Sequence, residues 1–424
     1  MKIPQLTPLD QRLVALAQET LRDGTVKAAL ERIFEIVRFN EHRVLRAFTQ
    51  AQVSDFHFAA SNGYGYDDSG REKLEEIYAR VFGAEAALVR GQIVSGTHAL
   101  ALCLYGVLRP GRELLALTGK PYDTLGEIIQ GGPGSGSLQD LGVSYREFMW
   151  SGGDFDLAAV RKAIRENTSA VLIQRSRGYS LRPSLSIEEI ARLIRAVKEV
   201  NPHIVTIVDN CYGEFVEGKE PPAAGADLTA GSLIKNPGGG LAPCGGYVVG
   251  RESLVELAAS RLTAPGLGSK CGPNLGVNRL LFQGFFLAPH MVGEALAGMV
   301  FAAAFFQRLG YKVFPNPCEE RHDIVQAICL EGEEEVLAFC QAIQAASPIN
   351  SHVKPEGAPM PGYDTPVIMA AGTFVQGASL ELSADAPLRP PYVVYLQGGL
   401  TRFQTEFAVL QVAQALLERG LLTL

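Results

Sequence analysis

Metal and redox signatures are missing from this chain. Its seven cysteines include no CxxC pair and no Cys/His cluster at zinc spacing, which excludes zinc-finger, zinc-ribbon and dithiol redox readings. An odd, scattered set also makes a poor disulfide framework, so reduced thiols are expected. Basic blocks are missing too. The 38 Lys and Arg residues face 45 Asp and Glu, a net charge of −7, so no patch tracks phosphates and nucleic acid is not an expected partner. The start, "MKIPQLTPLDQRLV", has no apolar signal core, and a cytoplasmic location is the expectation. The longest apolar stretch, Leu280 to Leu309, is interrupted by Gln283, His290, Glu294 and Gln307, so no membrane span is read there. "GGPGSGS" (Gly131–Ser137) has the glycines of a phosphate loop but lacks the Lys-Ser/Thr of a nucleotide site. It reads as a loop at a pocket mouth. Internal repeats and low-complexity tracts are absent as well.

What is present is a chain able to bury a large core. Hydrophobic residues make up 47% and charged residues 20% of 424, an ordinary globular balance at a length that favours more than one domain. Apolar groups at helical spacing (Leu13, Leu16, Ala17, then Ile33, Ile36, Val37) predict a helical arm over residues 1–54. "HFAASNGYGYDDSGRE" then breaks the pattern with aromatics and glycines and predicts an irregular loop. Over 55–288, short apolar runs (Ala86–Val89, Leu114–Leu117, "AVLIQ", "IVTIVDN", "DLTAGSL", "GGYVVG") alternate with helical stretches such as Thr97–Leu108 and Ile187–Val200. That alternation predicts an α/β domain with a mostly parallel sheet covered on both faces, binding ligands at the carboxyl ends of its strands. Over 289–424, a long alanine-rich helix, a helix at Glu333–Ala346, strands at Val367–Met369, Ala378–Leu382 and Val393–Gln397, and a closing helix at Thr405–Arg419 predict a smaller α+β domain.

Four short pieces fall at the strand ends of the larger domain. In "VSGTHALALC", Ser95, Gly96 and Thr97 open a helix, where free N–H groups and the helix dipole favour an anion; alone, this is equally a plain N-cap. In "TGKPYDTL", Tyr122 follows a strand and its ring is placed to cover a flat ligand, or simply to pack. In "IVTIVDNCYGEF", Asp209 ends an apolar strand, where a carboxylate needs a cation, whether a structural arginine or a protonated pyridine nitrogen. In "GSLIKNPGG", Lys235 follows a second apolar strand, with Ser232 just before it as a further hydroxyl donor. By itself Lys235 is a surface charge; in a desolvated pocket it loses its proton more readily and becomes a Schiff-base amine. Taken in order, an anion cradle, a ring cover, a pyridinium partner and an amine are what pyridoxal 5′-phosphate (PLP) requires.

These motifs resemble the fold-type I PLP enzymes, and among them the cystathionine and methionine lyase branch. "VDNCYGEF" is similar to that branch's strand-end motif and "SGTHA" to its phosphate turn. Together with "GYGYDDSGREKLE", "PYDTL", "IQRSRGY", "SLIKNPGGG" and "GLGSKCGP", they are similar to the methionine gamma-lyase-like group named for aluminium resistance, over residues 55–402. The resemblance implies an aspartate aminotransferase-like fold with a central, mostly parallel seven-stranded sheet. It implies that Lys235 holds the cofactor, Asp209 faces its ring nitrogen, Tyr122 stacks on the ring, and Ser95, Gly96, Thr97 and Ser232 bind phosphate. It also implies a homodimer or homotetramer whose Tyr64/Tyr66 loop reaches the neighbouring subunit's phosphate site. Two departures stand out. "YDD" replaces the branch's Tyr-x-Arg in that loop, and Ile234 precedes the lysine where a hydroxyl is common.

A substrate carboxylate calls for a bidentate guanidinium. Arg389 is the first choice, with Arg402 and Arg177 as competitors. The implied activity is a carbon–sulfur lyase acting on a small sulfur-containing L-amino acid, with Lys235 as base and Tyr122 as acid. An aminotransferase or a silent descendant would keep the same lysine and aspartate. No metal cluster is read, and Cys211, Cys244 and Cys271 are taken as ordinary thiols.

Overall fold

The segment "TSAVLIQ" shows how the larger part of the chain is built. Along it, Ala170 and Leu172 enter one hydrophobic core while Val171 and Ile173 enter another. Successive side chains of a strand point to opposite faces, so a run of apolar residues is buried on both sides only when helices cover both. The neighbouring strand repeats the pattern, with Ile207 in the first core and Val208 in the second.

The structure is a computed structural model and describes residues 9–150, 152–360 and 365–424. In chain order its elements are α1 (Gln11–Arg22), α2 (Gly24–Gln50), α3 (Ser69–Phe82), β1 (Ala86–Arg90), α4 (Gly96–Val107), β2 (Glu113–Ala116), α5 (Asp123–Gln130), β3 (Ser144–Glu147), α6 (Leu157–Ala163), β4 (Thr168–Gln174), α7 (Ile187–Val200), β5 (Val205–Asp209), β6 (Leu228–Ser232), β7 (Gly246–Gly250), α8 (Glu252–Leu262), α9 (Asn278–Arg308), β8 (Lys312–Phe314), β9 (Val325–Cys329), α10 (Glu333–Ala345), β10 (Val367–Ala371), β11 (Ser383–Pro387), β12 (Val393–Gln397) and α11 (Arg402–Glu418). They form two units, Phe39–Ala288 on one hand and Met1–Arg38 with Pro289–Leu424 on the other. The helical arm expected over 1–54 is therefore divided between the units; its first eight residues lie outside the described residues.

The Phe39–Ala288 unit carries a seven-stranded sheet in the order β1-β7-β6-β5-β4-β2-β3. Only β7 runs antiparallel to its neighbours. The second unit carries a five-stranded antiparallel sheet, β10-β11-β12-β9-β8, with its own core that includes Leu13, Phe305, Phe339 and Leu410.

One local reading of the sequence is corrected. Ala378–Leu382 is no strand, because the Glu381 carboxylate accepts the Phe374 and Val375 N–H groups at 2.8 and 3.0 Å and ties the segment into a turn. The strand starts just after it, as β11. Tyr122 lies at the end of the loop after β2, as the N-cap of α5.

Candidate active site

Strands β4, β5 and β6 lie side by side, with Gln174 opposite Asp209 and Asp209 opposite Ala230. Their carboxyl ends therefore share one edge of the sheet, and the start of α4 sits over that edge. A Cβ added to Gly96 would lie 3.0 Å from Cys211 Sγ and 3.4 Å from Ser232 Cβ. Only glycine permits so close an approach without displacement. Ser95 caps α4 by accepting the His98 N–H at 3.0 Å. The Gly96 and Thr97 N–H groups precede the first intrahelical bond and have no protein acceptor among the described residues. Unpaired N–H groups at a helix start can receive an anion.

Tyr122 is fixed from two sides. Its hydroxyl shares a 2.9 Å hydrogen bond with Thr97 Oγ1, and its N–H donates to Gln174 Oε1 at 3.2 Å. Burial, with Asp209 and Cys211 close by, pushes its phenol well above the usual tyrosine range. The hydroxyl keeps its proton.

Asp209 is 4% exposed, and its Oδ1 accepts the Cys211 N–H at 3.1 Å. Burial raises its carboxyl above the ordinary value, while the positive charge of Lys235 pulls the other way. Lys235 Nζ stands 3.9 Å from the centre of the Tyr212 ring. Burial works against its charge, but the Asp209 carboxyl and the face of the Tyr212 ring, with the dipoles of Cys211 and Tyr122, hold the ammonium well above the ordinary lysine range. Desolvation was expected to favour the neutral amine; with protein groups alone, these neighbours win.

The sequence reading missed several parts of this pocket. Tyr212, three residues after Asp209, has φ of 72°, an uncommon conformation for a non-glycine residue that aims its ring under Lys235. The Asp-x-x-Tyr spacing in "DNCY" was the available signal. Cys211, taken as an ordinary thiol, is buried in the wall of the pocket, and burial with Asp209 nearby keeps it protonated. Gln174 positions Tyr122, and Arg182 donates to the carbonyls of Gln174, at 3.1 Å, and Ser176. Behind β5, the fully buried Arg175 donates to Asn210 Oδ1 and to the Gly213 carbonyl, each at 2.8 Å, and so holds the turn that carries Tyr212.

Of the remaining expected residues, Tyr64 and Tyr66 are 71% and 54% exposed, with ring centres 5.6 Å apart. Their loop is clamped by Arg71, whose guanidinium donates to the Gly65 and Gly272 carbonyls at 2.5 and 2.9 Å. An arginine thus serves this loop from inside. Arg389 belongs to the other unit, exposed in the turn between β11 and β12. Arg402, also in that unit, stacks near Phe34 and Phe403 at 5.2 Å each. Arg177 is buried after β4. Among the described residues, no group of three or more His, Cys, Asp or Glu could hold a metal ion.

The donor set fits PLP. The close approach at Gly96 leaves backbone donors for a phosphate, Asp209 is a buried carboxyl whose ionised form a nearby cation favours, and Lys235 is an amine in the same pocket. A PLP-dependent protein from Escherichia coli matches the fold, with a TM-score of 0.60 at 16% identity over 89% of this chain and 95% of that one. The chain has the fold of the fold-type I PLP-dependent enzymes.

Its sequence narrows the class. Residues 16–417 match the methionine gamma-lyase family model, and the chain belongs to that family. It is 53% identical over 395 residues to the uncharacterized protein YnbB of Bacillus subtilis (strain 168), covering 92% of this chain and 94% of that protein. A carbon-sulfur lyase involved in aluminum resistance from Clostridium novyi NT superposes with a TM-score of 0.91 at 43% identity, over 95% of this chain and 96% of that one.

Proposed function

We propose that the protein is a PLP-dependent carbon–sulfur lyase acting on a sulfur-containing L-amino acid of the cystathionine or methionine kind. The observation that carries this reading is the convergence of Lys235, Asp209 and Tyr122 beneath the free donors of α4. Ser95, Gly96, Thr97 and Ser232 would hold the cofactor phosphate, Tyr122 would cover the ring, Asp209 would face the ring nitrogen, and Lys235 would carry the cofactor. When bound, PLP supplies an electron sink for the negative charge left at the substrate Cα.

The rest falls to the chain's own groups. Asp209, when ionised, would favour a protonated nitrogen facing it. Lys235 Nζ is steadied over the Tyr212 ring and, once its proton has left, is the amine placed to take a proton from Cα. Tyr122 keeps its phenolic proton and can deliver it from Oη to a departing sulfur. Arg389 is assigned the substrate carboxylate. The exposed Tyr64/Tyr66 pair supports a homodimer or homotetramer in which this loop meets the partner's site, and the cytoplasm is the proposed location.

The test is direct. The purified chain with PLP should turn yellow and release keto acid from cystathionine, cysteine or methionine without a keto-acid acceptor, which separates a lyase from an aminotransferase. Lys235→Ala should lose the borohydride-fixable chromophore. Its persistence in that variant sinks the assignment.

A further inference from the structure

Two carboxyl groups are sealed behind the Lys235 pocket, and their surroundings differ. Glu214 and Glu220 are both fully buried. Glu220 is surrounded by donors: Arg43 at 3.3 Å, Arg175 at 3.8 Å, Asn210 Nδ2 at 3.0 Å and the Phe215 N–H at 2.9 Å. With two guanidinium groups in reach, its ionised form is compensated. Glu214 has one side-chain donor, Tyr247 Oη, 2.8 Å from Oε1, while Oε2 is buried without a partner. A carboxylate there would give up its hydration for the Tyr247 hydroxyl, a backbone N–H and the charge of Lys235, which together do not offset burial, whereas a carboxylic acid costs far less.

The groups facing Glu214 come from every neighbouring element. Tyr247 belongs to β7, Tyr78 to α3, Cys211 and Glu220 to the segment after β5, and Lys235 to the turn after β6. Lys235 is the cation among them, and Glu220 already carries a negative charge that repels a second. A Cβ on Gly231 of β6 would lie 2.7 Å from Glu214 Oε1 and 2.6 Å from the Tyr247 ring, so the absent side chain makes the space for this pair. The segment is tied to the lysine turn too, because Asn236 Nδ2 donates to the Glu214 backbone carbonyl at 2.9 Å.

We infer that Glu214 is a positioning residue, held as a neutral carboxylic acid behind Lys235, whose proton sets how much negative charge the lysine meets. While it is neutral, Lys235 responds chiefly to the groups of its own pocket. When it ionises, a further negative charge holds the ammonium more firmly and opposes the neutral amine. Burial, then Glu220, push the Glu214 carboxyl up to about 8, which puts that change in the alkaline range. The use made of the proton rests on the lyase reading; the protonation itself needs no cofactor.

Infrared difference spectroscopy of the full-length chain from about pH 5 to about pH 10 reads the carbonyl stretch of a buried protonated carboxyl. The wild-type chain should show that band near neutrality and lose it with a midpoint near 8, and Glu214→Gln should abolish it. Titration of Lys235 by an amine-acylating reagent, read by peptide mass, should show a lower midpoint in Glu214→Gln than in wild type. Tyr247→Phe, which removes only the donor, should move the infrared midpoint upward, and it serves as the test where the Gln variant does not fold. If no Glu214-dependent band exists near neutrality, or if the Lys235 midpoint is unmoved in Glu214→Gln, the inference fails. A band that behaves as expected in a chain that never binds PLP overturns the lyase reading and leaves this one standing.

Discussion

Gly96→Ala sets two small effects against each other at known distances. The added Cβ would lie 3.0 Å from Cys211 Sγ, 3.4 Å from Ser232 Cβ and 3.6 Å from Ser232 N. The first is inside the roughly 3.5–4.0 Å of an ordinary contact, so the thiol must give by a few tenths of an ångström. Such overpacking costs on the order of 1 kcal/mol. Against it, Gly96 has no positive φ and opens a helix, where alanine gains about 0.5–1 kcal/mol over glycine. Folding stability should therefore shift by less than about 1 kcal/mol. PLP binding should fare worse, because the displacement falls on the turn that offers the Gly96 and Thr97 N–H groups. A charge-assisted hydrogen bond contributes about 1.5–3 kcal/mol, so misplacing one should weaken PLP binding about 10–100-fold. Denaturant unfolding of the chain without PLP measures the first quantity, and an absorbance titration with PLP the second. Unchanged affinity would show that the start of α4 is not the cradle. An affinity loss no larger than the loss of folding stability would show a packing defect only.

Three further outcomes follow from the same geometry. Tyr122→Phe loses the 2.9 Å bond to Thr97 and should cost about 1 kcal/mol of stability, keep PLP, and slow elimination by about 10²-fold as a missing proton donor does; an unchanged rate assigns the acid elsewhere. Arg175→Met removes the bonds to Asn210 and the Gly213 carbonyl and strips Glu220 of one of its two guanidinium partners, so denaturant unfolding should report a loss of about 3–5 kcal/mol. Glu214 has a pH signature in stability as well. Unfolded it ionises near 4.5, while folded it keeps its proton to about 8, so between those values the folded chain binds more protons. Its contribution is full below the lower value and is lost as pH rises through the upper one, and Glu214→Gln should flatten that part of the stability profile.

Much of the fold was legible because buried parallel strands must be apolar on both faces. "AVLIQ", "IVTIVDN" and "DLTAGSL" read as strands from composition alone and are β4, β5 and β6. The helix start at Ser95 was legible as a cap, since an N-cap needs a side-chain acceptor of that type. Glu381 shows where local reading fails: its carboxylate bonds two backbone amides several residues back, and the expected strand moves to Ser383–Pro387.

The one-dimensional pattern determined that Asp209, Lys235, Tyr122 and Ser95–Thr97 sit at element ends, because apolar runs set the length of each strand. It could not determine what those ends face. Tyr212 beneath the lysine, Cys211 against Gly96, Gln174 holding Tyr122, and Glu214 filling the space over Gly231 all depend on the register of β4, β5 and β6. The sign of the shift on Lys235 was decided there as well. Burial alone favours the neutral amine, and only the groups gathered from separate strand ends and loops reverse it. A charge responds to distance in space, and neighbours in space are set by strand pairing, which no short stretch of sequence contains.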